Sequence, residues 1–231
     1  MHSATVIVSA NGVPADVLNE ICNFHLQATL PIDLIVSSQI QLEGLKFPQI
    51  CSNAGQPFSL ARARNAGAQR ARMEWLIFTD VDTCYEHNLF EKMVKDGRPA
   101  LAGRTRRDVP NLASFGMASP FYACANSPLV IRRDLFTSVG GYCPRYSRWG
   151  YEDSDFEHKL DALPSFDSKA RHILSIHNLI VRNADWRHGA ETNRPLFEER
   201  MRLTREERIR EDKLAYAQSS VDLLVGGLRQ V

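Results

Sequence analysis

The chain lacks the marks of several large protein classes. Its five cysteines, Cys22, Cys51, Cys84, Cys124 and Cys143, are odd in number and widely spaced, with no CxxC pair among them. That spacing excludes an ordinary zinc ribbon or redox dithiol and favours a reducing compartment. No apolar window reaches the length of a membrane-spanning helix, and no basic stretch followed by a long apolar run opens the chain. The expectation is a cytoplasmic protein, free to touch the inner face of a membrane peripherally. An excess of one charge is missing as well. Lysine and arginine number 28 against 27 aspartates and glutamates, so the net charge of +1 draws the chain to neither nucleic acid nor an anionic membrane. Internal repeats and low-complexity tracts are absent.

What is present reads as an α/β protein. Thr5-Val6-Ile7-Val8 is a β-branched run that predicts a buried strand, ended by the turn residues Asn11-Gly12-Val13-Pro14. Residues 15–26 predict a helix with Val17, Leu18, Ile21 and Phe24 as its apolar stripe. Residues 32–36 predict a second strand, and this strand–helix–strand opening begins a parallel sheet. Residues 58–72 predict a helix capped by Ser59, and residues 74–79 a third strand running into Asp80. Further on, the pattern gives a short helix over 89–95, a strand over 100–102, a long loop over 105–120 and an extended segment over 128–131. A brief helix over 134–139 is closed by Gly140-Gly141, and residues 148–153 form a loop. A helix over 155–163 and a strand over 170–176 follow. Residues 195–224 read mostly as helix, with Met201, Leu203, Ile209, Leu214 and Tyr216 as contact residues. One domain over residues 1–190 with a helical extension over 191–231 packed on it is the expected organisation.

Two acidic sites carry the chemistry. The first is Thr79-Asp80-Val81-Asp82, at the end of the apolar run Trp75-Leu76-Ile77-Phe78. The carboxyl edge of a parallel strand is where open α/β sheets bind ligands. Carboxylates there can hold a hard divalent cation against a diphosphate. The competing reading is a solvated strand-to-loop corner with Asp82 capping a turn. The second site is Trp149-Gly150-Tyr151-Glu152-Asp153-Ser154-Asp155. A carboxylate there can take the proton of an attacking hydroxyl while Trp149 offers a face to a sugar ring. Alternatively, Asp153 or Ser154 caps the next helix and Trp149 is core.

The run Ser59-Leu60-Ala61-Arg62-Ala63-Arg64-Asn65-Ala66-Gly67, followed by Glu74 to Asp82, resembles the GT-A fold glycosyltransferases of the family 2 type. In that family an alanine-arginine-asparagine-x-glycine helix precedes a strand ending in a DxD motif. The resemblance implies a GT-A (nucleotide-diphospho-sugar transferase) fold, with a mostly parallel central sheet flanked by helices. It implies that Arg64 and Asn65 lie near the donor nucleotide, Asp80 near ribose and metal, and Asp82 on the metal. Val6 to Ser9 with Ala10-Asn11 matches the first nucleotide-binding strand and its loop, which makes Ser9 and Asn11 donor contacts. The second strand ends in Ser37-Ser38-Gln39, where the family commonly has aspartates; uridine remains the expected base.

Gly140-Gly141-Tyr142 and Trp149 to Phe156 resemble the acceptor block of β-1,4-galactosyltransferases and bacterial chondroitin-type polymerases. By that resemblance Asp153 is the catalytic base and Glu152 binds acceptor; the apolar face of Trp149 is expected beside the donor sugar. A histidine on a late strand completes the metal site in such enzymes. His177 in Ser175-Ile176-His177-Asn178 fits that place, with His172 as runner-up. The metal expected is manganese, with magnesium as the alternative. The implied activity is inverting transfer of a hexose or N-acetylhexosamine, galactose or N-acetylgalactosamine favoured, from a UDP-sugar to a saccharide or glycoconjugate hydroxyl. A retaining enzyme of the polypeptide N-acetylgalactosaminyltransferase type is the alternative, although such enzymes often have asparagine where this chain has Asp153. A sugar-phosphate nucleotidyltransferase ranks lower, since the loop after the first strand lacks the glycine-rich, basic pattern. A binding module that keeps the scaffold without turnover is the remaining reading.

Overall fold

A computed structural model describes residues 3–52, 57–81, 83–85, 88–96, 100–104, 125–161, 163, 166–170, 175–177 and 186–228. The predicted loop over 105–120, together with Asp82 and His172, lies outside them.

The chain opens with β1 (Ala4–Ala10), α1 (Ala15–Leu26) and β2 (Ile32–Ser38), followed by the short β3 (Gln49–Cys51). Helix α2 (Leu60–Arg70) leads into β4 (Trp75–Asp80), then β5 (Thr83–Tyr85), α3 (Leu89–Asp96), β6 (Ala100–Arg104), β7 (Ala125–Arg132) and α4 (Arg133–Ser138). After α5 (Glu152–Leu160) come β8 (Phe166–Ala170), β9 (Ser175–His177), α6 (Trp186–Met201) and α7 (Arg205–Leu228).

Seven strands form one sheet in the order β3-β2-β1-β4-β7-β6-β8. All neighbours are parallel except where β7 runs against β4 and β6. The architecture is therefore α/β, with a mostly parallel sheet flanked by helices.

Strand β1 lies at the centre of the parallel part and is buried along its whole length. Its side chains alternate between two cores. Val6, Val8 and Ala10 join Leu18 and Cys22 on the α1 side. Ile7 joins Ala61, Ala68, Leu76 and Phe78 on the α2 side. Parallel strands buried on both faces need apolar residues at nearly every position, and the sequence supplies them.

Helix α2 sits unusually low on this sheet. A Cβ on Gly67 would lie 2.5 Å from Ile7 Cγ2, so only glycine allows the approach. Ser59 caps the helix, accepting from the Arg62 amide at 3.2 Å and donating to the Tyr146 carbonyl at 2.7 Å.

Several expectations need correction. Helix α5 starts at Glu152, so Glu152 and Asp153 occupy its first turn and not a loop. Tyr151 is its N-cap in a left-handed conformation, φ 68°, with no side-chain cap bond; neither Asp153 nor Ser154 caps the helix. The predicted strand over 170–176 is described only at its two ends, which belong to different sheets. Its beginning belongs to β8 in the large sheet, and its end to β9, which pairs antiparallel with β5. The buried stripe of α7 is Arg208, Asp212 and Tyr216, whereas Leu214 is 71% exposed. Among the described residues no helix is long and apolar enough to cross a membrane.

The Gly67 contact yields a test. Gly67→Ala gains about 1 kcal/mol of helix propensity. It also forces a methyl into a filled gap, at a cost of about 1–3 kcal/mol. The overpacking cost should exceed the propensity gain, so thermal denaturation should show a lower Tm. A Tm above that of the parent would show that α2 can lift off β1 freely.

Candidate active site

The side chain of Arg64 organises this region. Helix α2 carries it beneath the carboxyl end of the sheet, where only 1% of the residue is exposed. One guanidinium nitrogen, Nη2, donates to Asp80 Oδ1 at 3.1 Å. The other, Nη1, donates to Asp153 Oδ1 and stands 4.0 Å from Glu152 Oε1. The guanidinium carbon lies 5.1 Å from the centre of the Tyr142 ring. Thus Asp80 at the end of β4 and Asp153 at the start of α5 meet on one cation.

The electrostatics follow from burial and crowding. Burial opposes the charge of Arg64, but Asp153, Tyr142, Asp80 and Glu152 outweigh it and hold its pKa well above the ordinary value. Glu152 is buried, and Oε2 has no hydrogen-bond partner among the described residues. Burial, reinforced by Asp153 and opposed by Arg64, pushes its pKa up to about 8. Burial also raises Asp153, to about 6, against the pull of Arg64. The Asp153 side chain keeps 21% of its surface exposed, and Asp80 keeps 23%. Their position suits them to reach a ligand.

The remaining expected residues fall in several places. Ser9 is the register partner of Asp80 on one side and of Ser37 on the other. The hydroxyls of Ser9 and Ser37 are both buried without a partner among the described residues. Asn11 is half-buried in the turn after β1. Trp149 is also half-buried, and its ring lies 4.8 Å from that of Phe58.

Asn65 points elsewhere. Its amide donates to the Tyr142 carbonyl at 2.8 Å and accepts from the Tyr142 amide at 2.9 Å. This buried clasp fixes the Gly141-Tyr142 turn, and Asn65 is not directed at the carboxylates around its neighbour.

The backbone of His177 pairs with Thr83, the residue that follows Asp82 in sequence. Among the described residues no group of three or more histidine, cysteine, aspartate or glutamate side chains could hold a metal ion. The side chains of Asp82, His172 and His177 lie outside those residues.

A second polar assembly lies between α5 and the C-terminal helices. Arg200 on α6 donates to Asp155 Oδ2 at 2.6 Å and to Asp212 Oδ2 at 2.7 Å. Lys159 joins Asp212 at 2.7 Å, and Arg208 joins Asp155 at 3.2 Å. All five residues are buried. Nearby, Asn193 on α6 bonds to the backbone of Ser147, Trp149 and Gly150. The helical spacing of Arg208, Asp212 and Tyr216 was the available signal, but a search for apolar stripes passes over charged positions.

Two family models match parts of the chain. One, Glycosyl transferase family 2, matches residues 50–97; the other, described as the N-terminal domain of galactosyltransferase, matches residues 109–163. No curated protein matches. Among solved structures, a mannosyltransferase from Pyrobaculum calidifontis in complex with GDP-Man and Mn2+ is 14% identical. The match covers 99% of this chain and 75% of that one, with a TM-score of 0.57. S. aureus TarS 1-349 in complex with UDP-GlcNAc is 16% identical over 97% of this chain and 72% of that one, also at 0.57. The match to the longer TarS chain spans 32% of its length. The catalytic domain of Drosophila beta1,4galactosyltransferase 7 is 17% identical over 79% of this chain and 74% of that one, at 0.49. This architecture and the two solved structures that span nearly all of the chain give it the GT-A fold, and its two matched segments are similar to glycosyl transferase family 2 and to the N-terminal domain of galactosyltransferase.

Proposed function

We propose that this chain catalyses metal-dependent, inverting transfer of a hexose or N-acetylhexosamine from a UDP-sugar to a saccharide hydroxyl, with Asp153 as the general base. Galactose and N-acetylgalactosamine are the favoured sugars. Residues 1–190 are read as the catalytic domain and residues 191–231 as a helical extension docked on it. Its place would be the cytoplasm or the inner face of a membrane.

The observation that carries this reading is the convergence of Asp80 and Asp153 on Arg64. Donor activation and acceptor deprotonation need carboxylates on opposite sides of one sugar, and these two come from the two separate acidic motifs. With Glu152 holding its proton, Asp80 and Asp153 leave one unbalanced negative charge around Arg64, which favours a cation.

In the proposed reaction, Asp153 accepts the proton of the acceptor hydroxyl as its oxygen bonds to the anomeric carbon. The bond from that carbon to the diphosphate breaks, and the diphosphate departs on the Asp80 side. The first turn of α5 places Asp153 at the positive end of a helix dipole, which favours its ionised form. Arg64 fixes the orientation of this carboxylate. Glu152, neutral near pH 7, offers a proton to a hydrogen bond with the acceptor, and Trp149 supplies an apolar face to a sugar ring. Asp80 is a hard oxygen donor with an exposed edge, which fits manganese or magnesium. With Asp82 and His177 it would hold the ion that neutralises charge on the leaving diphosphate.

Asp153→Asn should lower transfer roughly 10²–10⁴-fold, the usual scale of a general base. Calorimetry should find UDP affinity little changed. Near-normal turnover in the folded variant would remove Asp153 from this role.

The pH profile gives a second test. Transfer should rise as pH passes about 6, where Asp153 loses its proton, and fall as pH passes about 8, where Glu152 loses its own. Glu152→Gln should lack the alkaline fall. Stability should follow the same group. Because its folded pKa is raised, Glu152 stabilises the fold fully below its ordinary pKa of 4.5, and that contribution disappears as pH rises to about 8. The Tm of Glu152→Gln should therefore improve relative to the parent between pH 5 and pH 9. A constant difference would mean that Glu152 does not titrate differently on folding.

Asp82→Ala should require more manganese for turnover while remaining folded. An unchanged manganese titration would remove Asp82 from the metal site.

A further inference from the structure

The segment that delivers Glu152 and Asp153 is held in a costly conformation. Arg148 and Tyr151 have positive φ angles of 55° and 68°, and Gly150 lies between them at 105°. A non-glycine residue in the left-handed region is sterically disfavoured and persists only where surrounding contacts enforce it. Some enforcement comes from α2, because the Arg148 amide donates to the Phe58 carbonyl at 2.7 Å and the Leu60 amide to the Arg148 carbonyl at 3.0 Å.

The rest comes from α6, far along the chain. Asn193 is 2% exposed. Its Nδ2 donates to the carbonyls of Ser147 at 2.7 Å and Gly150 at 2.9 Å, with Trp149 at 3.3 Å sharing the interaction. Its Oδ1 accepts from the Ser147 amide at 3.1 Å. The backbones are in direct contact. A Cβ on Gly189 would strike the Trp149 carbonyl, and one on Gly150 would come within 2.9 Å of Ala190 Cα. One turn into α5, Arg200 and Arg208 hold both oxygens of Asp155. Helices α6 and α7 therefore grip the acidic block immediately before and immediately after Glu152 and Asp153.

We infer that Asn193 is a positioning residue for the acceptor side of the reaction. It locks the Trp149–Tyr151 turn so that α5 begins where Asp153 meets Arg64. This inference rests on the glycosyltransferase reading above. Displacing a reacting group by about 1 Å can cost 10²-fold in rate. The donor side has no such dependence, since Asp80 and Ser9 belong to β4 and β1.

The test uses the full chain with Asn193→Ala and the isosteric Asn193→Asp, which retains the oxygen toward Ser147 but loses both N–H donors. Three measurements are needed: UDP binding by calorimetry, transfer kinetics over pH, and hydrogen exchange of the peptide spanning 147–155. Both variants should bind UDP as the parent does. Exchange should quicken in that peptide alone. Acceptor kcat/KM should fall roughly 10–100-fold, and the acid limb should move to higher pH as Asp153 loses the influence of Arg64. Faster exchange with unchanged transfer would overturn the inference. So would losses of UDP binding and transfer that both track the unfolded fraction. If the parent transfers no sugar from any nucleotide-sugar while exchange still quickens in the variants, the glycosyltransferase reading fails and the positioning role falls with it, though the clamp itself stands.

Discussion

A single buried guanidinium ties this molecule together. Arg64 is shut away from water, and a lone charge there would be strongly disfavoured. It is tolerated because Asp80 and Asp153 arrive from two different directions, one on a strand end and one on a helix start. Each of the three groups makes the position of the others affordable. The consequence reaches outward: the closeness of α2 to β1, the left-handed entry into α5 and the docking of α6 all converge on this contact.

The parts of the fold that the sequence declares are those whose side chains meet one environment repeatedly. Strand β1 and helix α1 follow their apolar patterns, and β4 ends at Asp80 as its apolar run does. The motifs around Arg64 and Asp153 stand out by their order along the chain, an arginine-asparagine helix before an acid-ended strand and then a paired-acid block after a glycine pair. Their contact could not be read, since it depends on how α2 and α5 are placed in space. Strands β3 and β5 have three residues each, too few for a period to emerge. Sequence pattern places the start of α5 too late because Tyr151 turns the chain through a left-handed residue that no local pattern announces.

The interface between α5 and the C-terminal helices follows a different logic from the rest of the core. Lys159, Arg200 and Arg208 are interleaved with Asp155 and Asp212, and Glu211 closes the group from a half-exposed position. An apolar interface of the same size would often be as stable. Charges differ from apolar groups in tolerating few alternative arrangements, since each displaced partner leaves another charge buried and unpaired. Such an interface fixes the angle and height at which α7 meets α5. Gly140 strengthens the constraint, because a side chain there would press against the Lys213 amide at 2.5 Å.

Arg64 and Asn65 are consecutive on one helix, yet they hold different structures. The first grips two carboxylates and the second clasps the backbone of Tyr142, whose ring in turn lies beneath the guanidinium. Residues about 100° apart around the helix are thus both tethered, so α2 cannot roll about its own axis without breaking one tether or the other. The helix behaves as a keyed shaft. The helix and the end of β4 therefore move as one body, and any shift of α5 relative to them has to be taken up at the contact between Arg64 and Asp153.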